Sequence, residues 1–394
     1  MKSEICDSER SEGREKRGYR VLMTADPIGG VWGYALELSR ELRKWNVEVA
    51  LATMGRRLIE QEKSAASAIS NVTVFESDYK LEWMQNPWED VEAAGAWLLD
   101  LESRIEPNLI HLNGYSHGAL PWQAPCLIVG HSCVCSWFAA VRGTPAPREW
   151  DEYRRRVVAG LRSAQLVTAP SQAMLDDLRI HYREFAAAEV VYNGRAPSEY
   201  IPRAKEAFAL TVGRLWDEAK NVAILQTVAA KLPWPIYAAG EDEGPDRQHA
   251  RLAGLVPLAQ LDHVALADWL GRAAIFVLPA RYEPFGLSVL EAGLSGCALV
   301  LGDVASLREI WRDAAIFVSP NDPDQISAAL LNLIRDSSLR NLLAQKARSR
   351  ALTFTPDRMA HGYMNLYREI LSSHGRKSSL SLSETRHSEL KTTS

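Results

Sequence analysis

Residues 275–297, IFVLPARYEPFGLSVLEAGLSGC, decide how the rest of the chain is read. The stretch opens on an apolar run, Ile275 to Leu278, closed by Pro279. A run this short and this apolar predicts a strand buried on both faces. A turn-rich segment follows, Arg281-Tyr282-Glu283-Pro284-Phe285-Gly286, and then a helix with Leu287, Leu290 and Leu294 on one face. Glu283 and Glu291 bracket the turn, eight residues apart. Pro284 and Gly286 shape the backbone just ahead of the first free N–H groups of that helix. Those unpaired donors and the helix dipole favour an anion. The layout predicts a phosphate at the helix start and a carboxylate against a neutral polyhydroxy ligand beside it. An isolated strand–turn–helix with two glutamates is more often a plain βα unit with solvated acids. The remainder of the chain decides between the two.

On either side of this unit strands and helices alternate. Before it come strands at 20–25, Val47–Thr53, 72–75, Leu109–Leu112, 127–129, Leu166–Ala169 and 190–192. Between them lie the turn Asp26-Pro27-Ile28-Gly29-Gly30, a helix with Val31, Ala35, Leu38 and Leu42 inward, and helices around 91–105, 153–161 and 172–181. The alternation restarts with a strand at 208–212, the loop 213–220, a helix with Val222, Leu225, Ala229 and Leu232, and a strand at Ile236–Ala239. It closes with strands at 298–301 and 315–318, helices near 323–334 and 339–350, and an amphipathic helix over 356–372. Repeated βα alternation predicts parallel, doubly wound sheets. Two Rossmann-like α/β domains are expected, over 19–195 and 196–355, because APSEYIPRAKEA (196–207) loses all period and carries two prolines. Residues 1–18 and 373–394 are too poor in apolar side chains to pack, and read as a disordered leader and tail. Open α/β sheets bind ligands beyond the C-terminal ends of their strands, so two facing domains give one central cleft.

Composition sets bounds. At 394 residues the chain exceeds one typical domain. Its 47% hydrophobic and 24% charged residues are those of ordinary globular proteins. A net charge of −4 offers no global basic field for nucleic acid. No apolar stretch reaches the ~18 residues of a membrane span, and the first residues hold no apolar core of a secretory signal. Cys6, Cys126, Cys133, Cys135 and Cys297 are an odd set; Cys133-Val134-Cys135 lacks the two-residue gap of a zinc knuckle. Reduced thiols in a cytoplasmic setting, without a metal site, are expected. The twelve tryptophans read chiefly as core and groove filler.

Four stretches carry a resemblance. They are Ile28-Gly29-Gly30-Val31; His131 after the apolar strand; Gly213-Arg214-Leu215 with Lys220-Asn221; and Glu283-Pro284-Phe285-Gly286-Leu287 with Glu291-Ala292. In this order and spacing the chain resembles the GT-B glycosyltransferases, in particular the large retaining family four, or group 1, over residues 19–372. The resemblance implies two facing Rossmann-like domains, with the final helix crossing back to the first. It implies a retaining transfer of a hexosyl group from a UDP- or GDP-sugar to a hydroxyl of a saccharide, lipid-linked or small-molecule acceptor. No cofactor and no metal are expected. Two features depart from the family's usual pattern: Ala280 stands where it commonly has Ser, and the loop Val304-Ala305-Ser306-Leu307 stands where it often has Gly-Gly.

The chemistry of each position fits. Arg214 and Lys220, six residues apart, can both meet a pyrophosphate, one as a fork and one as a point charge. Glycines at 29 and 30 permit close backbone approach to phosphate or sugar. Glu283 would accept hydrogen bonds from the donor sugar, the amides of Phe285, Gly286 and Leu287 would meet sugar or phosphate oxygens, and Glu291 would hold the ribose diol. His131 would lie near the transferred sugar; His111, Asn113 and His117 are candidate acceptor contacts. No Asp-x-Asp stands near the cleft loops, so the cations and helix amides would do what a divalent ion does elsewhere. A nucleotide-sugar 2-epimerase of the same fold and a non-catalytic sugar-binding homologue are the alternatives. Arg40, Arg43, Lys44, Trp45, Arg56 and Arg57, with Arg154, Arg155, Arg156 and Arg162, carry a secondary expectation of peripheral contact with an anionic inner membrane face; a solvated helix face is the commoner origin of such a pattern.

Overall fold

The computed structural model describes residues 18–183, 185, 187–244, 249–250 and 252–391, with side chains through 374; the leader, residues 1–17, lies outside them. The first domain holds β1 (Tyr19–Ala25), α1 (Gly30–Leu42), β2 (Val47–Thr53), α2 (Glu60–Ser67), β3 (Val72–Glu76), α3 (Trp88–Ile105) and β4 (Leu109–Leu112). It continues with β5 (Cys126–Val129), α4 (Val134–Trp137), α5 (Asp151–Ser163), β6 (Leu166–Ala169), α6 (Gln172–Tyr182) and β7 (Ala188–Val190). The second holds β8 (Glu206–Val212), α7 (Leu225–Ala229), β9 (Ile236–Ala239), β10 (Val256–Pro257), α8 (His263–Arg272), β11 (Ala273–Leu278) and α9 (Leu287–Leu294). It ends with β12 (Ala298–Gly302), α10 (Ala305–Trp311), β13 (Ile316–Val318), α11 (Pro323–Arg335) and α12 (Ser337–Ala351), followed by α13 (Pro356–Lys391).

Both sheets are parallel, in the orders β3-β2-β1-β4-β5-β6-β7 and β10-β9-β8-β11-β12-β13. Each chain segment winds outward on one side and then restarts on the other. The reversal falls between β1 and β4 in the first sheet and between β8 and β11 in the second. A crevice opens at such a reversal, beyond the C-terminal strand ends. Alternate residues feed opposite faces: Val21, Met23 and Ala25 enter one core, and Leu22 the other. Every residue of β11 and β12 is buried, which is why those stretches read as unbroken apolar runs.

The last helix belongs to the first domain's core. Met359, Tyr363, Met364, Tyr367 and Ile370 of α13 pack with Tyr34, Leu38 and Leu42 of α1. Its entry touches the interdomain linker: a Cβ on Gly194 would lie 2.4 Å from the Thr355 carbonyl, and Arg195 N–H donates to Phe354 O at 3.1 Å. Among the described residues no helix is long and apolar enough to cross a membrane.

Several boundaries differ from the sequence expectation. The helix read as 356–372 continues to Lys391, through residues 373–391 of the segment read as a disordered tail; 392–394 lie outside the described residues. Serine is only mildly unfavourable inside a helix, and extension from an existing helix needs no new nucleus. The helix expected over Val222 to Leu232 is a single 3₁₀ turn, Val222–Ile224, and the short α7. Left-handed Asn221 opens it (φ 56°), and Pro233 and Pro235 follow. The segment from Val304 is no loop: Val304 precedes the first residue of α10.

Candidate functional site

The second domain presents its half of the site at the ends of β8 and β11, the strands flanking the reversal. Gly213 and Arg214 follow β8. The Arg214 guanidinium donates to Asp217 Oδ2 at 2.7 Å, and Asp217 Oδ1 accepts from Ala219 N–H at 2.9 Å. Burial raises the Asp217 carboxyl, but Arg214 and Lys220 outweigh it and hold the group below the usual carboxylate range. Lys220 Nζ lies 2.5 Å from Glu283 Oε2, in a pair whose side chains are only 16% and 9% exposed. Asn221 pins the loop by donating to Pro279 O at 3.0 Å and Pro320 O at 2.6 Å.

Beyond β11, Ser306 of α10 donates its hydroxyl to the Glu283 carbonyl. Gly286 caps α9 in the left-handed region (φ 86°), and a Cβ there would lie 2.9 Å from Val289 Cγ2. Glycine is therefore required at this turn. The first-turn N–H groups of α9 have no intrahelical acceptor.

The first domain closes over this half. Gly29 has φ 116°, and a Cβ there would stand 3.5 Å from Arg214 Nη1. A Cβ on Gly30 would stand 3.4 Å from Leu287 Cδ1. The glycine loop at the start of α1 thus lies against Arg214 and the start of α9. Asp26, just ahead of it, accepts from Ile28 N–H at 3.0 Å. Burial pushes its carboxyl up to about 6, against the lowering effects of that N–H, Arg214 and Arg56.

His131 follows β5. Asn113 donates its amide to Thr24 O at 2.6 Å, which fixes the amide orientation; its Oδ1 then accepts from His131 Nε2–H at 2.8 Å. The proton sits on Nε2, and Nδ1 keeps its lone pair. Burial pushes this imidazole down to about 3, so it is neutral at physiological pH.

Direct contacts join the domains around the cleft. Ser171 donates to Pro284 O at 2.7 Å, and Cys133 N–H to the Tyr282 hydroxyl at 3.2 Å. Glu309 of α10 accepts from Gln172 and Ala173 N–H at 2.8 and 2.9 Å and from the Tyr192 hydroxyl at 2.9 Å. A carboxylate from the second domain thereby caps α6 of the first.

The structure brings Gly29, Gly30, Arg214, Lys220, Glu283, Gly286 and Leu287 to one place. Phe285 turns its ring inward against Phe354, 5.8 Å between centroids, which leaves only its backbone for a ligand. Glu291 is buried and accepts from Arg195 Nε at 2.8 Å. Two acceptor candidates are corrected. His111 is fully buried in the first domain, its Nδ1 2.7 Å from the Tyr367 hydroxyl and its Nε2 3.3 Å from Tyr34, so it faces α1 and α13 rather than the cleft. His117 packs on α3 with Nε2 3.0 Å from Val91 O. Asn113 holds His131 instead of standing free. Asp26, Asp217, Arg195 and Ser306 went unassigned; Asp26 and Asp217 sit within three residues of assigned positions, Ser306 lies in the segment noted only for its departure from Gly-Gly, and Arg195 carries no local signal. The basic clusters are largely neutralised: Arg56 pairs with Glu62, Lys44 with Glu41, and Arg154, Arg155 and Arg156 with Asp151 and Glu152. Among the described residues no group of three or more His, Cys, Asp or Glu is placed to hold a metal.

Two facing doubly wound domains with a cationic, helix-capped cleft define the GT-B glycosyltransferase fold. The chain belongs to the family 4, or group 1, glycosyltransferases: the Glycosyltransferase Family 4 description matches residues 28–199, and Glycosyl transferases group 1 matches 206–336. It is 30% identical to the O-antigen chain mannosyltransferase B of Escherichia coli over 45% of this chain and 51% of that one, so the match spans about half of that relative. It is 26% identical to the D-inositol 3-phosphate glycosyltransferase of Frankia alni over 87% of this chain and 95% of that one. Among solved structures, sucrose-phosphate synthase from Thermosynechococcus elongatus superposes with a TM-score of 0.75 at 18% identity, covering 91% of this chain and all of that one (100%). Anabaena HepE, solved in complex with UDP and glucose, gives 0.71 at 15% identity, covering 88% and 99%.

Proposed function

We propose that the cleft transfers a hexosyl group from a UDP- or GDP-sugar to a hydroxyl of a saccharide, lipid-linked or small-molecule acceptor, with retention of configuration and without a metal. The observation that carries this reading is the meeting of the glycine loop, Arg214 and the start of α9 across the domain gap. A diphosphate there would meet the Arg214 fork, the Lys220 ammonium and the amides of Phe285, Gly286 and Leu287. That HepE, of the same fold, was solved with UDP supports a nucleotide donor.

In the reaction the bond from the sugar's anomeric carbon to the phosphate oxygen breaks, and a bond to the acceptor oxygen forms on the same face. The acceptor proton passes to the departing phosphate oxygen. Negative charge grows on that phosphate, and the two cations and fixed amides stabilise it most when it is largest. Glu283, held by Lys220, accepts hydrogen bonds from sugar hydroxyls. His131, neutral and with Nδ1 available, accepts from another. Neither glutamate acts as a covalent nucleophile.

A panel of UDP-, GDP- and ADP-sugars tests the reading, run with and without a chelator. Slow release of nucleoside diphosphate, accelerated by an acceptor and unchanged by chelator, is expected. Isomerisation of the sugar without release would favour the epimerase, and neither reaction with any donor would refute transfer.

A further inference from the structure

Arg195, where the first domain meets the interdomain linker, bridges two helices whose starts form the diphosphate site. Gly30 opens α1, and a Cβ on it would lie 3.4 Å from Cδ1 of Leu287, which opens α9. One turn further along each helix stand Gly33 and Glu291. Arg195 fills the space between them. Its Nε donates to Glu291 Oε1 at 2.8 Å, and its Nη1 donates to Gly33 O at 3.3 Å. A Cβ on Gly33 would lie 2.9 Å from Arg195 Nη2, so α1 approaches the guanidinium as closely as a bare backbone allows. Arg195 and Glu291 are 8% and 7% exposed.

We infer that Arg195 is a positioning residue for nucleotide recognition: it holds the Glu291 carboxylate aimed at the ribose diol, and sets the spacing of the two helix starts that grip the diphosphate. The inference rests on the ribose reading of Glu291 given above. A buried carboxylate is costly without a counter-charge, and without a fixed partner its side chain is not held in one orientation. The guanidinium supplies that partner while using one oxygen. A carboxylate offers about four acceptor directions, so the bond to Arg195 and the approach of the Tyr200 hydroxyl leave room for a diol. Only a planar, permanently charged fork can serve Glu291 and Gly33 together. Lysine would reach one of them. The groups facing Glu291 are Arg195 and Tyr200, with His263 beyond; Glu37 and Glu199 flank the guanidinium.

The test compares wild type with Arg195→Lys and Arg195→Met, by calorimetric titration with UDP or GDP, whichever wild type binds, and with the 2′,3′-dideoxy form of the same nucleotide. Circular dichroism verifies folding. Wild type should prefer the ribose form. Arg195→Met should lose about tenfold in affinity for it, as one charge-assisted hydrogen bond is worth, and little for the dideoxy form. Arg195→Lys should fall between. Equal losses for both nucleotides, or no loss in either variant, would overturn the role of Arg195. If Arg195→Met fails to fold, Arg195→Lys decides by the same ratio. A wild type indifferent to the ribose hydroxyls would instead overturn the reading of Glu291, and a wild type that binds neither diphosphate would overturn the donor reading itself.

Discussion

The Lys220–Glu283 pair should show opposite behaviour in stability and in catalysis. Its members are 2.5 Å apart and 16% and 9% exposed. Removing one partner of a buried pair costs about 3–5 kcal/mol. This pair opens on the cleft, where water can reach Glu283, so Lys220→Met should cost about 2–3 kcal/mol. For a domain of this size that lowers Tm by roughly 5–10 °C. Glu283→Gln should cost less, because the long lysine can swing towards solvent. Lys220→Met/Glu283→Gln buries no unpaired charge and should regain about 2 kcal/mol over the sum of the single changes. Turnover should not recover. Lys220→Met should cut kcat by about 10²-fold, the usual loss of one group that stabilises transition-state charge, and the double variant should be no better. Differential scanning calorimetry and a nucleoside diphosphate release assay read the two cycles. If Lys220→Met melts within about 1 °C of wild type, the buried-charge argument fails; if it turns over within about threefold of wild type, the diphosphate role fails.

Three further outcomes are expected. Glu309→Ala removes the cap that α10 places on α6, together with the bond to Tyr192, and should cost about 1–2 kcal/mol by chemical denaturation; no change would show that solvent satisfies those amides equally well. Asp26 has a folded-state pKa raised to about 6 from 3.8, so the folded protein holds the extra proton between those values and its ionisation penalty is complete only above about 6. Asp26→Asn should therefore raise Tm at pH 8 and leave it unchanged near pH 4, and a variant stabilised equally at both would contradict this. His131 is held at about 3, so the pH–rate profile should carry no step from it between about pH 5 and 8; a step that disappears in His131→Asn would show the ring to be protonated there.

The strands were the most legible part of the chain. β2, β4, β6 and β9 fall where the apolar runs put them, because parallel strands covered on both faces are mostly apolar, with few polar residues to interrupt them. Helix α2 left no trace, since Ala66 is its only buried residue. The site was legible where its residues cluster in one loop, as Glu283 to Leu287 do. Arg195 was not, because its partners lie 162 residues before it and 96 after. His111 and His131 both occur at strand ends and look alike in the sequence. What separates them is α13, which covers the His111 face of the sheet from more than 250 residues away, at a separation of 256 for Tyr367.

The return of α13 also bears on how the protein is made. Tyr363, Met364 and Tyr367 fill the middle of the first domain, yet a ribosome delivers them only after the whole second domain has emerged. Until then the nascent amino-terminal half carries an open apolar seam along α1, exposed to chaperones and to neighbouring chains. The two lobes therefore mature in reverse of their order in the gene, with the later-translated lobe able to close its own interior first.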